Sequence, residues 1–243
     1  MRIVSLCPSI TESLVALGLG GSLVGVTRYC VHPREALEGI PRVGGTKNPD
    51  LEAIAALEPE LVLCNAEENR DADVDELSRR YRVDVSHPTR VDEVAPLLRR
   101  LGELTGAGVV AEGWARALEE RLAAVRAGRT VRFAYLIWKG PWMAAAAGTY
   151  ISDLLETFGG ENAFPASSGP WPKTGEEQLS ALDPELLVLP DEPFPFGDTD
   201  RAYWKRILPA ARVVLVPGED FCWHGVRTLR GLTAAGALLE ETG

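Results

Sequence analysis

The sequence lacks the devices by which many enzymes declare themselves. It contains no Gly-x-x-x-x-Gly-Lys-Ser/Thr phosphate loop, no Gly-x-Gly-x-x-Gly fingerprint, no Gly-x-Ser-x-Gly elbow and no His-Glu-x-x-His helix. With only three histidines, general acid–base chemistry would fall to carboxylates, and no paired-carboxylate pattern stands out. The four cysteines (Cys7, Cys30, Cys64 and Cys222) are widely spaced and include no Cys-x-x-Cys pair. That excludes a disulfide scaffold and a zinc-finger pattern. Basic residues are outnumbered 25 to 35 by acidic ones, and the net charge of -10 argues against a nucleic-acid-binding surface. The acidity reads as a solubilising surface or as a patch for a basic partner. No apolar run reaches the ~18 residues of a membrane helix, so membrane insertion is not expected. Met1-Arg2-Ile3-Val4-Ser5-Leu6 enters a strand with no charged leader or cleavage site. A periplasmic or extracytoplasmic location is expected if a leader was removed, and a cytoplasmic one if Met1 is the native start.

What is present is an ordinary globular composition, 46% hydrophobic over 243 residues, enough for one large domain or two lobes. Leu57-Glu58-Pro59-Glu60-Leu61-Val62-Leu63 recurs as Leu182-Asp183-Pro184-Glu185-Leu186-Leu187-Val188, an offset of 182 minus 57, or 125 residues. Each copy ends an amphipathic helix, turns on proline and enters an apolar strand. Two copies at half the chain length predict two lobes of similar construction, with the ligand between them.

Strands alternate with helices along the chain, which predicts an α/β fold with mainly parallel sheets. Strands are expected at 2–7, 22–27, 60–64, 83–86, 131–138, 186–189 and 212–216. Helices are expected at 51–57, 71–81, 91–105, 150–158, 175–182, 200–207 and 226–240. Ser9-Ile10-Thr11-Glu12 reads as a capping box opening a helix that ends near Gly18. From Ala107 to Gly128, Leu118, Leu122 and Val125 keep helical spacing, predicting a helix about 30 Å long. The expected division is an N-terminal lobe over 1–105, a connecting backbone helix over 106–129 and a C-terminal lobe over 130–243. A continuous helix between lobes would restrict them to small rocking motions. The other reading of 107–128 is one more crossover helix in a single sheet.

The unusual residues fall in loops after strands, where parallel α/β sheets bind ligands. These loops hold Cys7-Pro8-Ser9, Tyr29-Cys30-Val31-His32-Pro33 and Cys64-Asn65-Ala66-Glu67-Glu68-Asn69 in the first half. The second half contributes Trp138 to Trp142, Gly169-Pro170-Trp171-Pro172 and Phe221-Cys222-Trp223-His224. Large aromatics clustered in loops suit a broad, flat ligand. Cys30 or Cys222, with His32 or His224, could lend a soft ligand to the metal of a bound chelate; the alternative is that these thiols are small apolar packing residues. No closed metal site is expected.

Several segments carry a resemblance: Arg2 to Glu12, Leu23–Val26 with Tyr29 and Pro33, Leu57 to Val62, Gly159-Gly160-Glu161-Asn162-Ala163-Phe164 and Pro170-Trp171-Pro172. Together, in order and over nearly the whole chain, they resemble periplasmic cobalamin-binding proteins. More broadly, the chain is similar to the helical-backbone substrate-binding proteins of ABC importers for cobalamin, haem, siderophores and metals. The resemblance implies two α/β lobes joined by one long helix, a ligand held between them and no enzymatic activity. By position, Pro8, Tyr29, His32, Phe221 and Trp171 match cleft-lining residues. Cys30, Asn65, Trp142, Trp223 and His224 complete the candidate ligand-binding set. Asn65 stands where the cobalamin binders carry tryptophan, and His32 replaces a tyrosine. The family docks on its permease through one acidic residue per lobe. That implies Asp71, with Glu67 and Glu68, on the first lobe and Glu219 or Asp220 on the second. The expected partners are a small-molecule metal chelate and an ABC permease, with no catalytic cofactor. The rival readings are an intracellular corrinoid- or metal-chelate-binding protein of the same fold, and an enzyme of unknown reaction on a two-lobed scaffold.

Overall fold

The computed structural model describes residues 1–242 and divides into two compact units. Unit 1 comprises Met1–Pro88, Asp92–Glu120 and Trp223–Arg227; unit 2 comprises Thr89–Val91, Arg121–Cys222 and residues 228–242.

The elements of the first half are β1 (Ile3–Ser5), α1 (Pro8–Ala16), β2 (Leu23–Val26), α2 (Leu51–Ala56), β3 (Leu61–Asn65), α3 (Asp71–Ser78), β4 (Arg82–Ser86), α4 (Val94–Thr105) and α5 (Gly108–Ala123). Their four strands form one sheet in the order β2-β1-β3-β4, and every pairing is parallel. Alternation along β1 and β3 explains how both sheet faces are buried. Ile3, Leu61 and Leu63 join Ile10, Leu14, Leu97, Leu101 and Ala111 on one side. Val4, Leu6, Val62 and Cys64 join Ile54 and Leu77 on the other. Helices therefore cover both faces, as parallel sheets require.

The second half contains β5 (Val131–Trp138), β6 (Trp142–Ala145), α6 (Tyr150–Glu156), β7 (Gly160–Asn162), β8 (Lys173–Thr174), α7 (Glu176–Leu182), β9 (Leu186–Pro190), α8 (Asp198–Ile207), β10 (Arg212–Val216), α9 (Glu219–Cys222) and α10 (Thr228–Glu240). The sheet order is β10-β9-β5-β6-β8, with β7 also paired to β5. β10, β9, β5 and β7 run parallel, β6 pairs antiparallel with β5, and β8 pairs antiparallel with β6. Its core holds Ala134, Leu136, Phe164, Leu187, Leu189 and Trp204.

Three expectations are corrected. First, α1 opens at Pro8, with Cys7 extended at the N-cap and no side-chain cap bond, so Ser9 and Glu12 make no capping box. Proline at the first helical position loses no helical hydrogen bond. Second, α5 ends at Ala123 after 16 residues, about 24 Å. The Arg126 guanidinium donates to the carbonyls of Ala123 (3.2 Å) and Val125 (2.9 Å), satisfying groups a longer helix would have used. Third, the last helix begins at Thr228 rather than Val226, after a turn in which Gly225 takes a left-handed φ of 93°.

Candidate ligand-binding site

In unit 1 the carboxyl ends of the parallel strands carry most of the first-half candidates. The loop after β2 projects Tyr29, which is 53% exposed, with the Arg28 guanidinium 5.7 Å from its ring centre. His32 is half-buried in the same loop. Cys30 lies inside: its Sγ is 3.1 Å from Thr11 Oγ1 and 3.2 Å from Thr27 Oγ1. Arg42 ties this loop down, donating to the carbonyls of Cys30 (2.7 Å) and Thr27 (3.2 Å). Pro8 is buried at the start of α1.

The loop after β3 is built by its asparagines. Asn65 Oδ1 accepts from the backbone N–H of Glu67 (2.9 Å) and Glu68 (3.2 Å), while its Nδ2 donates to Ser86 O (3.1 Å). Asn69 Oδ1 accepts from Asn65 N (2.8 Å), and Asn69 Nδ2 donates to Leu6 O and Thr46 O. A side chain that closes its own backbone turn sets the loop path. Asn65 is 2% exposed. The same turn presents Glu67 and Glu68, and Lys47 Nζ donates to the Glu67 carbonyl. Burial pushes the Glu67 carboxyl upward, opposed by nearby His87, whose Nε2 lies 3.9 Å from it. Asp71 is exposed in the first turn of α3, where helix amides favour a carboxylate.

The structure also brings second-half residues into unit 1. Trp223 sits edge-on to His32, with ring centres 5.7 Å apart, and is 4% exposed. His224 meets Ser9, whose Oγ lies 3.3 Å from Nε2 and 3.5 Å from Nδ1. Those near-equal distances set the hydroxyl across the ring edge. An activated serine would instead lie along one nitrogen's lone pair. Burial pushes the His224 imidazole down to about 4, so it is neutral at neutral pH.

In unit 2 the candidates are distributed differently. Trp142 belongs to an aromatic cluster: it stacks on Phe196 at 6.0 Å and meets Trp204 edge-on at 5.0 Å. Lys139 lies 5.5 Å over its ring and pairs with Asp200 at 2.5 Å. Trp171 is half-buried in a segment tied to β6, with Ala146 N donating to Pro170 O and Ala144 N to Pro172 O, both 3.0 Å. Phe221 is 1% exposed and packs on Tyr135, ring centres 6.0 Å apart. Asp220 is buried and pairs with Arg230 at 2.9 Å, leaving Glu219 the more exposed of these two carboxylates. Cys222 is half-buried, whereas burial pushes the Cys7 and Cys64 thiols up to about 12.

Residues 3–200 match the family described as periplasmic binding protein. The chain belongs to the periplasmic binding protein family. A vitamin B12-binding protein of Vibrio parahaemolyticus is 29% identical over 239 residues, covering 96% of this chain and 86% of that protein. The crystal structure of a periplasmic vitamin B12 binding protein of Vibrio cholerae superposes with a TM-score of 0.86 at 25% identity, covering 99% and 97% of the two chains. A periplasmic haem-binding protein from Roseiflexus, at 22% identity, shares the fold with a TM-score of 0.82 over 99% and 98%. Membership confirms the two-lobed α/β architecture of a solute-binding protein. No helix among the described residues is long and apolar enough to cross a membrane.

The sequence gives no sign that Glu12 and Ser13 meet Arg227 and Val226, because these contacts join residues more than 200 positions apart and carry no local signal.

Proposed function

We propose that this chain is the non-enzymatic solute-binding component of an ABC importer and that it takes cobalamin or a related metal chelate such as haem. The observation that carries this reading is the match of the whole chain to a vitamin B12 binder. An exposed Tyr29 and a half-buried His32 at the strand ends of unit 1 support it. A phenol and an imidazole give a flat macrocycle stacking area and polar edges at once. In unit 2, half-buried Trp171 would add area, since the other aromatic candidates Trp142 and Phe221 pack against neighbouring rings.

The reading extends to location and partner. The protein acts outside the cytoplasmic membrane and docks on a permease through carboxylates, with Asp71 and the Glu67–Glu68 turn presented by unit 1 and Glu219 by unit 2. Reversing the charge at Asp71 slows association with the permease and flattens its salt dependence, leaving ligand affinity intact. Fractionation of the native host tests the location.

The deciding experiment is an absorbance spectrum of protein purified from its native host, followed by calorimetric titration with cyanocobalamin and with haemin. A corrinoid or Soret spectrum with tight, saturable binding supports the reading. A colourless protein that binds neither overturns it.

A further inference from the structure

We propose that Glu12, Arg227 and Trp223 form a positioning stack that fixes the His32 imidazole at the ligand-facing end of unit 1. The inference rests on the ligand-binding reading above and assigns a role to residues that would not themselves touch ligand.

The stack begins on α1. Ser9, Glu12 and Ser13 follow the i, i+3, i+4 spacing that places side chains on one helical face. All three engage the segment Trp223–Arg227. Ser9 meets His224. Ser13 Oγ accepts from Val226 N at 3.2 Å. Glu12 takes the Arg227 guanidinium through two contacts, 2.7 Å from Nε and 2.8 Å from Nη2. The segment lies so close to α1 that a Cβ at residue 225 would stand 2.1 Å from Ser13 Oγ, and φ there is 93°. Only glycine accommodates both the conformation and the approach.

From Arg227 the contacts continue outward. Its side chain is 7% exposed and that of Glu12 20%, so the pair is largely out of water and its fork geometry is directional. The guanidinium carbon lies 4.9 Å from the Trp223 ring centre, a cation–π contact that orients the indole. The indole in turn meets the half-buried His32 ring at an interplanar angle of 63°. Trp223 is too buried to be the main contact surface itself. An imidazole on an unsupported loop would have to be ordered on binding, whereas one held by a packed indole has met that cost in folding.

Two measurements test the stack. With three histidines, selective labelling gives three imidazole NMR signals, assigned by single His→Gln variants. Glu12→Gln and Trp223→Phe should each shift or broaden the His32 signal and leave that of His87 unchanged; an unmoved His32 signal overturns the proposal. In titrations with cyanocobalamin and haemin, Arg227→Lys should weaken binding about fivefold in the natural background and less than about twofold beside His32→Ala. Equal losses in both backgrounds would assign Arg227 a general structural role and overturn the stack. If Glu12→Gln does not fold, Arg227→Lys, which keeps the charge and loses the fork, replaces it in the NMR measurement. Failure of the natural protein to bind either compound would defeat the ligand reading alone, and the NMR signal of His32 would still decide the stack.

Discussion

Glu58 and Asp183, 125 positions apart, hold the same left-handed backbone conformation, with φ of 44° and 47°. Each precedes a proline, which disfavours the right-handed helical region at the residue before it, so the helix must end there. Two residues later the equivalence continues. Glu60 accepts from Arg2 N at 2.6 Å and Glu185 from Arg132 N at 3.0 Å. The backbone N–H groups of Glu60 and Glu185 donate to the carbonyls of Arg2 and Arg132, both at 2.8 Å. One sequence motif thus locks the start of a strand against its neighbour in each unit.

The left-handed positions are strained for residues with a Cβ. Glycine variants at 58 and 183 should exceed the corresponding alanine variants in stability by about 1 kcal/mol each. Urea unfolding of the four proteins checks the difference, and the two sites should behave alike.

Tyr29 and Trp142 should respond to alanine in opposite ways. Tyr29→Ala should weaken ligand binding by about 1–3 kcal/mol with little change in melting temperature. Trp142→Ala removes a ring packed among Phe196, Tyr203 and Trp204 and should cost about 3 kcal/mol of stability. Calorimetric titration paired with thermal melts separates the two.

His224 should give the fold an acid-sensitive step. Burial pushes its imidazole down to about 4, whereas in the unfolded chain it takes a proton near its ordinary value of 6.5. Between those values the unfolded state binds a proton that the folded state does not, so stability falls as pH drops from 6.5 towards 4. Below about 4 both states are protonated and the loss levels off. The full contribution is ~3 kcal/mol. Unfolding free energies at pH 7, 6 and 5 should show a shallower decline for His224→Gln than for the natural protein.

The thiols should differ in reactivity. Burial raises the Cys7, Cys30 and Cys64 thiols, so little thiolate is present at pH 8. Cys222 is half-buried. A brief treatment of native protein with iodoacetamide, followed by peptide mass analysis, should find Cys222 alkylated first.

Much of the fold was legible because its signals are local. The Leu-x-Pro-Glu-Leu repeat, the alternating or wholly apolar strands and the glycine and proline stops each act over a few residues. They place the parallel strands and the helices between them to within a few positions. The short strands β6, β7 and β8 were not legible. Trp142-Met143-Ala144-Ala145 has no alternation, and alanine favours a helix; it becomes a strand because β5 offers it hydrogen-bonding partners. The candidate site was legible to the extent that Tyr29 and His32 lie in a loop after a strand.

The sequence alone therefore determined the class of fold, the repeat and the loops that carry ligand candidates, since those follow from backbone preference and hydrophobic periodicity. Tertiary structure decided which of the candidates reach the surface. It buried Asn65 in its own turn and paired Asp220 with Arg230. It also took Glu12 from an apparent capping box into an ion pair 215 residues away. The reason is physical: a carboxylate withdrawn from water is stabilised more by a two-point guanidinium than by one backbone N–H, and only the folded chain brings that guanidinium within reach.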